Sequence, residues 1–256
     1  MCLILLSYKT HPQYPLIIAA NRDEFYDRPT APAAFWKDAP SLLAGKDLRG
    51  GGTWLGVTRN GRVAALANYR EPQTFKADAP SRGLLVRDFL LGDLSGAEYL
   101  EKLKKTADHY NGYIMIFGDV SQLYYFSNRG TITPLLAPGI HGQSNHLLDT
   151  PWPKVLRGKE SLERLLSNQA SPSAEDLFAL LADRTVPEDK LLPDTGIGLE
   201  NERLLASLFV AAPAYGTRSS TVILISRDGE VTMCERTYNG NHNYKSTVEY
   251  KFDSGI

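Results

Sequence analysis

The stretch PLIIAANRDE, residues 15–24, changes from six apolar residues to four consecutive polar ones. Its apolar part has the length and composition of a buried strand, and residues 2–8 form a similar apolar run before it. Turn-forming residues at 11–13 join the two runs, so we expect an antiparallel pair at the start of the chain. The four polar residues from Asn21 to Glu24, which we call the tetrad, directly follow the second predicted strand. Side chains there can hold an amine, orient a thiol or bind a substrate, while a solvated turn with a local ion pair is the plainer alternative.

Outward from this stretch, strand patterns continue at both ends of the chain and helical patterns occupy its middle. Two predicted strands flank residues 59–61, which contain an Asn-Gly turn. Further strands are predicted at 112–117, 122–127, 221–225, 231–237 and 246–252. Predicted helices cover the apolar stripes at 84–90 and 162–166 and begin at the capping residues Ser95 and Ser173. Residues 185–199 are expected to form a loop. Because strands and helices are segregated, the pattern predicts an α+β fold with antiparallel sheets, formed by one domain over residues 1–256.

Composition excludes several classes of protein. The 256 residues are 43% hydrophobic, which suits a sizeable core, and 28 basic residues balance 29 acidic ones. A formal net charge of −1 argues against non-specific binding of nucleic acid or of anionic membranes as the main function. No apolar run is long enough for a membrane span, and residues 1–7 lack the basic segment and cleavage site of a signal peptide. Two cysteines do not make a disulfide framework, so we expect a protein of the reducing cytoplasm.

Cys2 is the first candidate for chemistry. Removal of Met1 is easiest before a small residue, and it would leave a thiol and a free α-amine on the same residue. An α-amine titrates near pH ~8, well below a lysine side chain, so it can act as a base close to neutral pH. The alternative is a small buried residue of the first strand, since free cysteines are often buried.

Four further segments carry candidate site residues, each with a simpler structural explanation. Residues 49–56 include three consecutive glycines that fit no nucleotide-binding pattern, so a tight turn with close backbone approach is expected. Asn68 and Asn145 have amides suited to stabilising an oxyanion, although most loop asparagines only cap turns. Arg218 precedes an apolar strand; beside a thiol it would lower the thiol pKa, and otherwise it is a surface arginine.

Metal and haem-attachment patterns are absent from the sequence. The five histidines are scattered, and neither HExxH, CxxC nor CxxCH occurs. We therefore expect no metal site.

Taken together and in this order, the motifs resemble one family closely. Met1-Cys2, the tetrad, the run at 51–56, Asn68-Tyr69-Arg70, Ser144-Asn145 and the run at 216–219 are similar to the NRDE family, which includes the transport and Golgi organisation protein 2 homologues. The resemblance spans almost the whole chain. It implies a likeness to the cysteine branch of the N-terminal-nucleophile hydrolases, and hence a four-layer αββα sandwich with two antiparallel sheets between helical layers.

The resemblance also implies roles for individual residues. Cys2 would be the nucleophile, Asp23 would position its amine and thiol, Asn145 would hold the oxyanion and Arg218 would stabilise the thiolate. The implied substrate-binding residues are Asn21, Arg22, Asn68 and Trp54. One position departs from the hydrolase pattern: the arginine that commonly precedes the asparagine is Ala20 here. Whether Arg22 replaces it depends on which strand face it occupies.

Two functions remain open at this point. The first is hydrolysis or transfer of the acyl group of a linear amide or ester through Cys2, an amidohydrolase or acyltransferase acting on non-peptide C–N bonds. The second is a non-enzymatic carrier or chaperone that uses the same pocket for a hydrophobic ligand, either a lipid or haem in transit. In both cases the expected partner is a small hydrophobic or acyl-bearing ligand, and no cofactor is required. The sequence leaves the oligomeric state open.

Overall fold

The computed structural model describes residues 2–130, 134–169, 171–240 and 243–255, and of Cys2 only the backbone. Within these ranges the chain forms twelve strands and five α-helices. The strands are β1 (Cys2–Tyr8), β2 (Leu16–Phe25), β3 (Thr30–Trp36), β4 (Ala39–Asp47), β5 (Leu55–Thr58), β6 (Val63–Asn68), β7 (Tyr113–Gly118), β8 (Leu123–Ser127), β9 (Gly139–Gln143), β10 (Tyr215–Ile225), β11 (Glu230–Tyr238) and β12 (Tyr244–Asp253). The helices are α1 (Gly83–Leu91), α2 (Gly96–Thr106), α3 (Pro153–Asn168), α4 (Ala174–Leu181) and α5 (Leu199–Leu204).

The strands form two six-stranded antiparallel sheets. The first, sheet A, has the order β12-β11-β10-β2-β1-β9, so the N-terminal hairpin lies at its centre. The second, sheet B, has the order β3-β4-β5-β6-β7-β8, in which every strand pairs with its neighbour in sequence. Sheet A therefore joins distant parts of the chain, whereas sheet B is a continuous meander interrupted by α1 and α2.

Three apolar cores hold four layers together. The central core lies between the two sheets, one core packs sheet B against α1 and α2, and another packs sheet A against α3 and α4. Successive side chains of β1 point to opposite faces of sheet A. Leu3 and Leu5 therefore belong to the core against α3 and α4, and Ile4 and Leu6 belong to the central core. The predicted α+β sandwich, with helices outside two antiparallel sheets, is confirmed.

Helix starts follow the local sequence. Ser95 and Glu98 form a complete capping box at α2, and Ser173 and Asp176 form another at α4. Among the described residues, every helix is too short or too polar to cross a bilayer.

The strands differ from the sequence predictions in two ways. β2 continues through the tetrad to Phe25, because the first part of β10 pairs with it there. The pattern also missed β3, β4 and β9. Their sequences contain proline, glycine or short alanine runs with little alternation, and they are strands because neighbouring strands complete their hydrogen bonds.

Candidate functional site

The site is built around the first residue of β1. The backbone of Cys2 lies opposite Arg22 of β2 on one side. On the other side β1 pairs with β9, with Ile4 opposite Gln143, and continuing this register by two residues brings Asn145 level with residue 2. The hairpin and β9 therefore bring the tetrad and Asn145 to the same end of sheet A. The Cys2 side chain and Met1 lie outside the described residues.

The tetrad alternates between two faces of sheet A because it is part of a strand. Asn21 faces the helical layer, where its Nδ2 donates to the carbonyl oxygens of Leu181 and Leu208, each at 2.9 Å. Its Oδ1 accepts a 2.6 Å hydrogen bond from Ser220 Oγ. These contacts tie β2 to the end of α4 and do not place Asn21 on the cleft described below; substrate binding by Asn21 stays a prediction.

Arg22 faces the other side, toward sheet B. Its side chain is 6% exposed, and its guanidinium carbon lies 4.2 Å from the centre of the Trp54 ring. Nη1 donates to Thr30 Oγ1 at 3.1 Å. Ala20 belongs to the central core on this same face, two residues earlier in the strand. Arg22 and Ala20 therefore share the face of β2 that points toward sheet B.

Asp23 is buried at the helical face, with 1% of its surface exposed. Its Oδ1 accepts a 2.8 Å hydrogen bond from Thr217 Oγ1 of β10. Burial raises the pKa of this carboxyl above its ordinary value, and the nearby charges of Lys154 and Arg70 act in the opposite direction. A carboxylate in this environment has a strong electrostatic preference for a cationic partner.

The two candidate oxyanion asparagines contact one another. Asn145 is fully buried, and its Nδ2 donates to the backbone carbonyl of Asn68 at 2.8 Å. The backbone N–H of Arg70 donates to the Asn145 carbonyl, also at 2.8 Å. One of the two Nδ2 hydrogens of Asn145 is thus donated to another residue of the protein. Together, the two hydrogen bonds fix Asn145 to the segment 68–70 at and just after the end of β6.

Arg218 lies in an irregular part of β10. It is the extra residue of a β-bulge between Thr217 and Ser219. Its Nη1 donates to the carbonyl oxygens of Phe25 and Arg28, at 2.7 and 3.1 Å. The guanidinium therefore braces the turn after β2, and its role toward a thiolate stays a prediction.

A cleft of about 690 Å³ opens beside the tetrad. It is lined by the end of β2, the 47–54 loop, Leu66, Asn68 and the segment before α1. Four predicted site residues meet there, namely Arg22, Asp23, Asn68 and Trp54. Arg22 and Asn68, whose strand faces the sequence left open, both line this cleft.

The glycine run shapes one wall of the cleft. Gly51 has a φ of +69°, and a Cβ on Gly52 would lie 2.3 Å from the carbonyl carbon of Gly83. Thr53 N–H donates to the Gly83 carbonyl at 3.1 Å. The expected tight turn with close backbone approach is confirmed, and it fixes Trp54 beside Arg22.

The cleft mouth combines charge with exposed aromatic rings. Arg28 and Asp47 form a 2.7 Å ion pair at its edge. Phe25 and Phe75, both lining residues, are 57% and 66% exposed. A ligand entering the cleft passes apolar surface before it meets the buried polar groups.

Sequence reasoning missed several buried charges near the tetrad. Glu235 is 1% exposed and accepts from Ala33 N–H at 2.7 Å, and Lys154 is 3% exposed. Arg70 and Glu202 form a 2.6 Å ion pair whose side chains are 6% and 3% exposed. Only Arg70 lay within a noted motif. The others stand in amphipathic or polar segments, where the sequence gives no sign of burial.

Metal binding has no support in the described part of the chain, where no three His, Cys, Asp or Glu side chains are grouped to hold an ion. The described residues contain no disulfide partner for Cys234, which is a free, buried thiol.

The architecture is that of an α+β sandwich whose central hairpin begins with a cysteine and ends in a buried polar site. Residues 1–240 match the sequence profile of the Transport and Golgi organisation 2 family, and the chain belongs to that family. It is 40% identical to the human Transport and Golgi organization protein 2 homolog, over 93% of both chains. The Drosophila melanogaster Transport and Golgi organization protein 2 is 30% identical over the full length of both.

Two solved structures with a similar course of the chain are those of hydrolases. A Caenorhabditis elegans ortholog of N-acylethanolamine-hydrolyzing acid amidase is 11% identical, with a TM-score of 0.48 over 87% of this chain and 92% of that one. The C2A mutant of a conjugated bile acid hydrolase from Clostridium perfringens is also 11% identical, with a TM-score of 0.46 over 99% and 98%.

Proposed function

We propose that this chain hydrolyses or transfers the acyl group of a linear amide or ester, with Cys2 as an N-terminal nucleophile after removal of Met1. One observation carries the proposal: the backbone of residue 2 lies opposite Arg22, at the end of the strand pair that buries Asp23, and β9 pairs with β1 up to Gln143, two residues before Asn145. A thiol and an α-amine at this point would have an acid, an amide and a substrate-sized cleft around them.

The reaction follows ordinary acyl-transfer chemistry. The α-amine takes the thiol proton, and the thiolate attacks the substrate carbonyl carbon to give a tetrahedral oxyanion. The remaining Nδ2 hydrogen of Asn145, together with a backbone N–H, stabilises that oxyanion. Collapse breaks the bond to the leaving amine or alcohol, which receives the proton from the ammonium. Water then attacks the thioester and releases a carboxylic acid, or an acceptor amine or alcohol takes the acyl group instead.

The residues of the cleft have separate roles in this proposal. Asp23 holds the ammonium form of the α-amine after proton transfer. Arg22, Trp54 and Asn68 contact the substrate: the indole offers an apolar surface for the acyl chain, and the two polar side chains orient the carbonyl. The reaction belongs in the cytoplasm, where a reducing environment keeps the nucleophilic thiol free.

The direct test is covalent labelling with an activated acyl ester at pH 7, followed by peptide mass analysis. Cys234 is an internal control, because it is 2% exposed and burial raises the pKa of its thiol to about 11. We expect acylation of Cys2 alone, retained in Cys234→Ser and lost in Cys2→Ser. Absence of label on Cys2 in the folded protein would refute the nucleophile.

A second candidate function has one observation in its favour. The exposed rings of Phe25 and Phe75 at the cleft mouth suit a carrier that takes up and releases a hydrophobic ligand. Haem or an acyl lipid would bind without reaction, and loose binding would serve transfer. A haem titration monitored by the Soret band tests this: saturable binding lost in Phe25→Ser/Phe75→Ser, without acylation of Cys2, would favour the carrier over the hydrolase.

A further inference from the structure

A second groove lies on the helical face of sheet A, where β11 and β12 approach the end of α4. Its volume of about 400 Å³ is within the range of small-molecule sites. The described residues that line it come from the end of α4, the segment before β10 and the two strands: Ala182, Arg184, Phe209, Arg236, Tyr238 and Tyr244. None of these residues lines the cleft beside the tetrad, so the groove is a separate site.

The groove is connected to the tetrad through Asn21. Ser220 Oγ donates to Asn21 Oδ1 at 2.6 Å and lies 3.3 Å from the hydroxyl oxygen of Tyr238. Asn21 Nδ2 donates to the carbonyls of Leu181 and Leu208, the residues directly before two of the groove's lining residues. The Asn21 side chain therefore holds parts of two walls of the groove and should report on its occupancy.

The charge of the groove is positive. Both charged side chains among its described lining residues are arginines. The guanidinium carbon of Arg184 lies 4.7 Å from the centre of the Phe209 ring, and that of Arg236 lies 4.4 Å from the Phe178 ring and 5.6 Å from the Tyr244 ring. Arginine combines contact with aromatic faces and paired hydrogen bonds to carboxylate or phosphate groups. These arginines therefore favour an anionic ligand.

Aromatic rings supply much of the remaining surface. Phe209 and Tyr238 meet edge to face, with ring centres 4.8 Å apart and an angle of 89° between their planes. Phe209 is 2% exposed, whereas Tyr244 is 61% exposed. An exposed tyrosine ring beside a buried aromatic pair offers a planar ligand a face on which to stack.

One acidic neighbour competes for a guanidinium of the groove. Glu175 Oε1 accepts a 2.6 Å hydrogen bond from Arg236 Nη2, and 73% of the Glu175 side chain is exposed. An ion pair with so exposed a partner contributes little free energy. The anionic group of a ligand can therefore replace the Glu175 carboxylate at low cost.

We propose that this groove binds a small organic anion that carries a planar aromatic ring, either an aromatic carboxylate or a nucleotide. Arg184 and Arg236 hold the anionic group, and the ring stacks on Tyr244. The inference is independent of the proposed acyl chemistry, because the groove and the cleft share no lining residue.

The test is an NMR titration of the full chain with two anions, 2-naphthoate and AMP, each compared with its neutral counterpart, 2-naphthalenemethanol or adenosine. We expect saturable binding of at least one anion with a Kd below about 1 mM, and at least about tenfold weaker binding of its neutral counterpart. The signals that shift should include the Asn21 side-chain amide and the backbone of residues 236–239. Binding of 2-naphthoate alone would identify an aromatic carboxylate site, and binding of AMP alone a nucleotide site.

Two variants should change the affinity in opposite directions. Arg184→Gln alters an exposed side chain and should weaken binding at least about tenfold. Glu175→Gln removes the carboxylate that competes for Arg236 and should strengthen binding about two- to fivefold.

Two controls establish where the anion binds. Arg203→Gln removes an exposed arginine outside the groove, and Phe75→Ser alters the mouth of the cleft. Both should leave the affinity unchanged. The inference is overturned if neither anion binds saturably below about 1 mM, if the neutral counterpart binds equally well, or if Arg184→Gln leaves the affinity unchanged. Binding that is lost in Phe75→Ser would place the anion in the cleft and would also overturn the inference.

Discussion

The core between sheet B and its helices and the tetrad end of the molecule are built on opposite principles. In that core, Phe117 of β7 is fully buried among Phe89, Tyr99 and Tyr124, with ring centres 5.1–5.6 Å apart. At the tetrad end, the almost fully buried side chains are those of Asp23, Lys154, Asn145 and the Arg70–Glu202 pair. Burial of apolar side chains stabilises the fold. Burial of charged groups costs solvation free energy, which is offset only when each charge has well-placed ionic and hydrogen-bond partners. Departures of this kind from the rules of stability are expected at functional sites.

The largest effect is expected in the core between sheet B and its helices. Phe117→Ala removes most of a ring from a close-packed cluster, and cavity formation adds to the lost transfer free energy. We expect the free energy of unfolding to fall by about 3–5 kcal/mol, measured by urea denaturation of the full chain. Cys2 labelling per folded molecule should be unchanged. A loss of labelling greater than the loss of folded protein would mean that the two regions are not independent.

A somewhat smaller effect is expected when the buried ion pair is broken. Glu202→Leu leaves the Arg70 guanidinium buried without its carboxylate, which should cost about 3 kcal/mol. The double variant Arg70→Met/Glu202→Leu should recover more than half of that loss, as a double-mutant cycle in urea would reveal. If the double variant is as unstable as Glu202→Leu, the pair is a structural requirement, and the contrast with the core between sheet B and its helices fails.

Within the tetrad, a substitution on the helical face of β2 should mainly affect stability, and one on the face toward sheet B should mainly affect binding. Asn21→Ala removes three buried hydrogen bonds and should cost about 2 kcal/mol, with little change in Cys2 labelling. Arg22→Met keeps most of the side-chain volume on Trp54, so it should cost less stability but reduce the labelling rate. Equal behaviour of the two variants in both assays would contradict the division of roles between the faces.

The smallest effect concerns a charged pair away from both regions. His141 Nδ1 lies 2.7 Å from Asp149 Oδ2 and its Nε2 lies 2.9 Å from the Ala137 carbonyl, so both ring nitrogens face acceptors. Burial lowers the pKa of His141, but these hydrogen bonds outweigh it and raise the pKa above its usual 6.5.

A raised histidine pKa stabilises the folded state fully below the unfolded value and loses that effect as pH rises through the folded value. His141→Gln should therefore cost about 1 kcal/mol at pH 5.5 and less at pH 9, measured by urea denaturation at both. A loss of stability that is larger at pH 9 than at pH 5.5 would contradict the prediction that the ring is charged in the folded protein.

The elements that were predicted correctly from the sequence are those determined by residues close together in the chain. The capping box at Ser95, the Asn-Gly turn at 60–61 and the apolar run of β1 each depend on residues close in the chain, and all three are present. The sequence did not predict β3 or the extension of β2 through the tetrad, because those strands exist through pairing with distant partners. Lys154 was missed for the same reason: its side chain is buried against a distant part of the chain, where its Nζ donates to the Leu205 carbonyl, and this leaves no local pattern.

The central claim is that Cys2 becomes an N-terminal nucleophile, and the intact mass of the purified protein tests it most directly. The account predicts a mass lacking one methionine, which leaves the Cys2 α-amine free beside Asp23. A mass that retains Met1 would leave the thiol without its own base and would contradict the proposed chemistry.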